Sequence, residues 1–229
     1  MKKSITLILT VAMLFSAFAF DIFADTGHLP FTDVKENAWY YDSISRVYKN
    51  NLVFGTSETQ FRPNDHLTRE QAAMIFYNWS SAEKKYDSCS FTDVKAGSRY
   101  CNAVEWAYRN GIMFGVAMGR FGVGEYITRQ DLVTVIYRAY QKDTDREYGY
   151  LAANFYRFTD HSSTSEYAVE AMKFATGLVQ CILFDGTGGP EQPFLFGDNN
   201  NMLRPKAPCT RAEAVAIIIG TNRQLLLAK

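Results

Sequence analysis

The chain holds 229 residues with 24 basic and 24 acidic side chains, so no bulk charge draws it to nucleic acid or to an anionic membrane. Four cysteines are too few and too widely spaced for a small disulfide framework. A chain of this size buries either one ordinary domain or several small modules sharing a core.

In chain order, Lys2 and Lys3 precede an uncharged apolar run from Ile5 to Phe20, with Ala24 as a small residue before the cut. This reads as a secretory signal peptide over residues 1–24. An uncleaved membrane anchor is the alternative, although Thr6, Thr10 and Ser16 dilute the run and Asp21 and Asp25 follow it closely. Export would permit disulfides. Cys89 with Cys101 and Cys181 with Cys209 is the most local pairing, and two other connectivities stay open. No CxxC occurs, and His28, His66 and His161 lie far from any cysteine pair, so no metal and no cofactor is expected.

The next elements are written twice. Phe31-Thr-Asp-Val-Lys35 recurs as Phe91-Thr-Asp-Val-Lys95, each followed by a Thr-Arg pair, Thr68-Arg69 and Thr128-Arg129. Laid over each other without a gap, the two stretches also share Tyr40/Tyr100, Tyr48/Tyr108, Asn50/Asn110, Phe54/Phe114, Gly55/Gly115 and Phe61/Phe121. Chance does not do this, and the chain is read as a repeat protein. A third copy starts at Phe158-Thr159-Asp160, carries Tyr167 at the Tyr40 offset, and ends in Thr210-Arg211-Ala212-Glu213. Its extra length is assigned to a Gly-, Pro- and Asn-rich loop over 185–201, in which Phe194, Leu195 and Phe196 look exposed but are expected to fold back. The expected division is residues 25–84, 85–145 and 146–229.

Each copy reads as helix, loop, helix. Tyr40, Ile44, Val47 and Tyr48 share a helical face, and Tyr100, Val104, Ala107 and Tyr108 repeat it. The second helices open on Thr68, Thr128 and Thr210 as N-caps, with Gln71 and Glu213 completing capping boxes and Asp131 too short to complete one. Behind each cap the apolar register is the same: Ala72, Ile75, Phe76; Leu132, Val135, Ile136; Ala214, Ile217, Ile218. Identical stripes require identical burial, which a mainly α, pseudo-threefold bundle supplies; an extended solenoid is the competing arrangement.

The assembled residues resemble the S-layer homology module. Copy one offers FTDV, Trp39, LVFG, FRPN and LTRE; copy two FTDV, GIMFG and ITRQ; copy three FTD, the Gly177–Val179 stretch, LRP and TRAE. Copy two departs from the pattern with Arg99 near the place of Trp39 and with Gly122-Val123-Gly124 in place of Phe-x-Pro-Asn. Copy three shows a one-residue slip in its first helix. The resemblance implies a secreted cell-wall or surface-layer protein that holds a pyruvylated secondary cell-wall polysaccharide beside peptidoglycan, with self-association or surface-layer proteins as further partners.

A pyruvate ketal puts one carboxylate on a neutral sugar. An arginine next to a helix N-terminus can meet it with a two-pronged donor fork, which names Arg69, Arg129 and Arg211 as ligand-binding residues. Trp39, Tyr40 and Tyr100 offer flat surfaces, Gly55 and Gly115 let main-chain amides approach, and Asp33, Asp93 and Asp160 are candidate hydroxyl acceptors, although an Asp in that setting also caps turns. Catalysis is not expected: no GxSxG or HExxH occurs, and the Asp143–Asp145 stretch fails as a calcium loop because Tyr148 stands where glycine is required. A scaffold that has lost glycan binding is the alternative function.

Overall fold

The computed structural model describes residues 28–80, 85–142, 146–183, 188–190 and 194–221. The expected signal peptide lies outside these. No helix among the described residues is long and apolar enough to cross a membrane. The fold is mainly α. First helices α1 (Tyr41–Lys49), α3 (Arg99–Arg109) and α5 (Val169–Gly177) alternate with second helices α2 (Arg69–Trp79), α4 (Arg129–Gln141) and α6 (Arg211–Gly220). Copy three adds a small antiparallel sheet in the order β1 (Arg146–Tyr150), β2 (Leu178–Leu183), β3 (Gly188–Pro190).

The helices do not pair within a copy. Each second helix packs on the first helix of the next copy, α2 on α3 and α4 on α5, and α6 returns to α1. The chain therefore closes on itself, and the solenoid alternative does not occur. At the centre, the residues just before the three caps form a ring of hydrogen bonds: Leu67 N–H donates to Cys209 O, Ile127 N–H to Leu67 O, and Cys209 N–H to Ile127 O, each at 2.9 Å. All three residues are buried. A second ring lies two residues along the chain, where the amides of Arg69, Arg129 and Arg211 donate to Glu125 O, Ala207 O and Asp65 O at 2.9, 3.0 and 2.8 Å. Helix N-termini leave amides without intrahelical partners, and here another copy satisfies them.

The expected stripes are core. Ala72, Ile75, Phe76, Leu132, Val135, Ile136, Ala214, Ile217 and Ile218 are all buried, as are Ile44, Val47, Val104 and Ala107. Thr210 and Glu213 form a reciprocal capping box, and Thr68 N–H reaches Gln71 Oε1 at 3.3 Å. Thr128 Oγ accepts from Asp131 N–H at 3.2 Å and donates to its carboxylate at 2.6 Å.

The extra residues of copy three lie earlier than expected. Phe54, Phe114 and Phe196 each stand fourteen residues before their threonine, so Phe194–Gly197 is the loop that matches Leu52–Gly55 and Ile112–Gly115. The additional segment is β2 and β3, between α5 and Phe194, where β1 covers it. Phe194 and Leu195 are buried because they occupy the positions of Leu52–Val53 and Ile112–Met113. Cys89 and Cys101 lie close together as free thiols, and Cys209 is a buried free thiol on the central axis. The side chain of Cys181 lies outside the described residues.

Candidate functional site

Among the described residues, three cavities lie between the copies, and each is built from all three. The first, of about 380 Å³, and the third, of about 500 Å³, flank a second of about 340 Å³ in the same relation to their repeats. In each, one copy supplies its Phe-Gly loop and one face of its second helix, the next copy overhangs the start of its first helix, and the preceding copy supplies its arginine. We call the groove of copy one groove A: it joins Phe54, Gly55, Gln71 and Asn78 with Arg99, Tyr100 and Arg211. Groove B joins Phe114, Gly115, Asp131 and Arg138 with Tyr167 and Arg69. Groove C joins Phe196, Gly197 and Glu213 with Trp39 and Arg129.

The arginines are not free forks. Arg211 Nε–H donates to Phe61 O at 2.8 Å and its Nη2 to Phe54 O at 2.9 Å. Arg69 repeats this on Phe121 O at 2.9 Å and Phe114 O at 2.6 Å, and Arg129 on Leu203 O at 2.8 Å and Phe196 O at 3.4 Å. Arg211 and Arg69 are only 6% and 9% exposed, and the guanidinium of each lies over a phenylalanine ring, Phe61 at 4.5 Å and Phe121 at 5.2 Å. This differs from the expected solvent-facing cation. Nε and Nη2 are held by the carbonyls of the Phe-Gly loop and of the turn after it, so Arg69 and Arg211 leave the Nη1 edge to a ligand, whereas Arg129 Nη1 is taken by Glu213. Burial pulls the Arg211 pKa down, partly offset by Asp65 and Asp33; the group stays charged.

The glycines earn their place through packing. A Cβ on Gly55 would stand 2.4 Å from Ser57 O and 2.5 Å from the Phe31 ring, and one on Gly115 would stand 2.4 Å from Arg120 O. The sequence reading missed Gly197, the third member of the set, where a Cβ would meet the Phe158 ring at 2.7 Å. Its signal was the constant spacing from Phe-Gly to Thr-Arg.

The aspartates are a correction. Asp33 accepts from the amides of Phe61 and Arg62 at 2.9 and 2.7 Å, Asp160 from Leu203 and Arg204 at 2.8 Å each, and Asp93 from Phe121, Gly122 and Val123 at 2.8, 2.8 and 3.0 Å. Both oxygens of each are used to tie the start of a copy to the turn after its Phe-Gly loop, and none lines a groove. That turn puts Arg62, Gly122 and Arg204 at φ +57°, +88° and +49°, which explains the glycine of copy two. Tyr40 packs against the core and lines none of the three grooves, whereas Trp39 beside it is 67% exposed and overhangs groove C. Tyr100 does line groove A. The threonine caps set the helix starts behind the arginines and lie outside the grooves.

Charge divides the grooves. In groove C, Arg129 Nη1 meets Glu213 Oε1 at 3.3 Å and Arg204 meets Asp198 at 2.5 Å. In groove B, Asp131 accepts from Tyr167 Oη at 2.5 Å, which, after burial itself, pushes the Tyr167 hydroxyl up to about 12. Arg138 there is laid over Phe114 at 4.7 Å. Among the described residues, groove A is lined by Arg99 and Arg211 and by no carboxylate. Arg99 covers the Tyr100 ring at 4.7 Å and donates to its hydroxyl at 2.5 Å. Among the described residues no cluster of His, Cys, Asp and Glu is arranged to hold a metal.

The profile of the S-layer homology domain matches residues 30–73, 90–133 and 194–215. The third match begins at Phe194, where the structure places the loop of copy three. The chain is similar to an amylopullulanase of Thermoanaerobacterium thermosulfurigenes, 34% identical over 83% of this chain and 9% of that protein. It is also similar to the surface-layer 125 kDa protein of Lysinibacillus sphaericus, 36% identical over 49% of this chain and 10% of that protein. A cellulosome-anchoring protein of Acetivibrio thermocellus is 27% identical over 72% of this chain and 33% of its own length. The chain thus spans a third or less of each of these relatives. Three matched segments, in order and in one closed ring, show that the chain carries the S-layer homology domain in three tandem copies.

Proposed function

We propose that this protein is a secreted, non-catalytic cell-wall anchor that binds pyruvylated secondary cell-wall polysaccharide in the grooves between its copies. A cell-surface setting is supported by the domain itself and by relatives named as surface-layer and cellulosome-anchoring proteins. The observation that carries the ligand reading is the threefold recurrence of one constellation: a guanidinium held from behind by two carbonyls, an exposed ring or fork overhanging from the next copy, and a glycine loop. A fixed cation and a flat surface suit a sugar bearing one carboxylate. Three grooves facing a dense polymer would also raise retention above that of any single weak site.

Co-sedimentation with purified walls tests this, before and after mild acid removal of the ketal. Retention on native walls with loss on treated walls is expected. Equal retention on both supports a scaffold without anionic-glycan recognition, and release of reducing sugar would replace anchoring with catalysis.

A further inference from the structure

We infer that groove A is the principal site for the anionic end of the glycan and that Arg99 is its specificity-determining residue, acting with Arg211 as a two-guanidinium clamp. The inference rests on the anchoring reading above and deepens it. One position overhangs all three grooves: Trp39 over groove C, Arg99 over groove A and, allowing for the slip in copy three, Tyr167 over groove B. The copies differ most where they would touch a ligand. By the repeat pattern Arg99 is a lapse, but in the closed ring it lines one cavity of about 500 Å³ together with Arg211 of a different copy.

The partners of each cation decide between the grooves. An incoming carboxylate in groove C would have to displace Glu213 from Arg129 and would sit beside Asp198. In groove B it would approach the Asp131 carboxylate. Like charges brought together without water between them are costly. Groove A sets no carboxylate of its described lining against the ligand: its remaining polar lining is the amides of Gln71 and Asn78, the Thr56 hydroxyl and the Tyr100 phenol, while Asp65 and Asp33 act on Arg211 from outside the groove. Arg211 is fixed by Phe61 O and Phe54 O, whereas Arg99 is exposed and rests on Tyr100, so one fork is immobile and the other closes over the ligand. The exposed Phe54 ring offers the sugar a flat apolar surface. The class of ligand is a saccharide end carrying one carboxylate, and the pyruvate-ketal sugar is the member this site would select.

Isothermal titration of the full chain with a methyl hexoside bearing a 4,6-pyruvate ketal, and with the same glycoside lacking the ketal, tests this. Arg99→Ala should weaken the ketal glycoside about tenfold or more, the size of one lost charge-assisted pair. Arg99→Lys should recover only part of it, and the exposed Lys95→Ala outside the grooves should change nothing. The ketal-free glycoside should bind weakly and alike to all variants. Wild-type binding of the ketal glycoside and of walls with no loss in Arg99→Ala would overturn the groove assignment alone. Failure of the wild type on both glycoside and walls would overturn the anchoring reading with it. Because Arg99 is an exposed residue, unchanged thermal unfolding should confirm that the variants fold.

Discussion

Arg211 Nε–H donates to the carbonyl oxygen of Phe61 at 2.8 Å, joining two residues separated by 150 positions in the chain. The same bond recurs from Arg69 to Phe121 and from Arg129 to Leu203, so these three side chains close the ring before any ligand arrives. Arg211→Ala would leave the carbonyls of Phe61 and Phe54 without their charged donor. It should lower stability by about 2–4 kcal/mol, read as a fall in the urea midpoint. Arg211→Lys should recover little, because an ammonium cannot span both carbonyls.

Acid should loosen the ring through Asp93 and Glu105. Glu105 is buried; burial alone would raise its pKa, but Ser90 N–H at 2.8 Å, Ser90 Oγ at 2.9 Å and Arg109 Nε at 2.6 Å hold it below its ordinary 4.5. Asp93 is likewise held below 3.8 by three amides, against the opposing effect of burial. A depressed folded pKa gives stability that is full above the unfolded value and lost as pH falls through the folded one. Urea midpoints should therefore be flat from pH 7 to about 5 and drop below about 4. In Glu105→Gln the drop should be smaller and the neutral-pH stability lower by about 1.5–3 kcal/mol.

Cys209 gives a prediction of opposite sign. Burial pushes its thiol from 9.0 up to about 12. A raised folded pKa contributes stability below pH 9 that is lost as pH rises toward 12. In the native protein at pH 8, the thiolate should be about a thousandfold scarcer than in the unfolded chain. Iodoacetamide should therefore label Cys209 in urea and leave it unlabelled without urea, as peptide mass mapping would report.

Gly115→Ala should destabilise the protein by about 1–3 kcal/mol, since the new methyl would meet Arg120 O at 2.4 Å and the Phe91 ring at 2.8 Å. Gly119→Ala is the contrast. A Cβ there meets nothing within 4 Å, and its φ of +69° makes backbone strain the sole cost, about 1 kcal/mol. Thermal unfolding of the pair separates close packing from conformational freedom.

Much of this was legible in the sequence because it is local or repeated. A threonine followed by a box-forming side chain announces a helix start, and the stripe behind it announces burial, which is how Ala72, Leu132 and Ala214 declare their shared environment. What one copy does to another was harder to read. The Arg69 fork is taken by carbonyls of Phe121 and Phe114, residues of the next copy, and nothing within its own copy points to them. Asp93 looked like a candidate ligand group for the same reason: its amide partners lie 28 to 30 residues ahead. The insertion was misplaced because Gly177-Leu178-Val179 imitates the turn that Phe194–Gly197 makes, and the fixed spacing from Phe-Gly to Thr-Arg was the better guide.

The most direct measurement is an amide and side-chain nitrogen NMR titration of the isotopically labelled protein with solubilised wall polysaccharide. Ligand shifts should concentrate in the loops at Phe54–Thr56, Phe114–Val116 and Phe196–Asp198, and at the Nε–H signals of Arg99 and Arg211 before those of Arg129. Shifts confined to the β1–β3 sheet, or a spectrum that does not change at saturating polymer, would contradict binding between the copies.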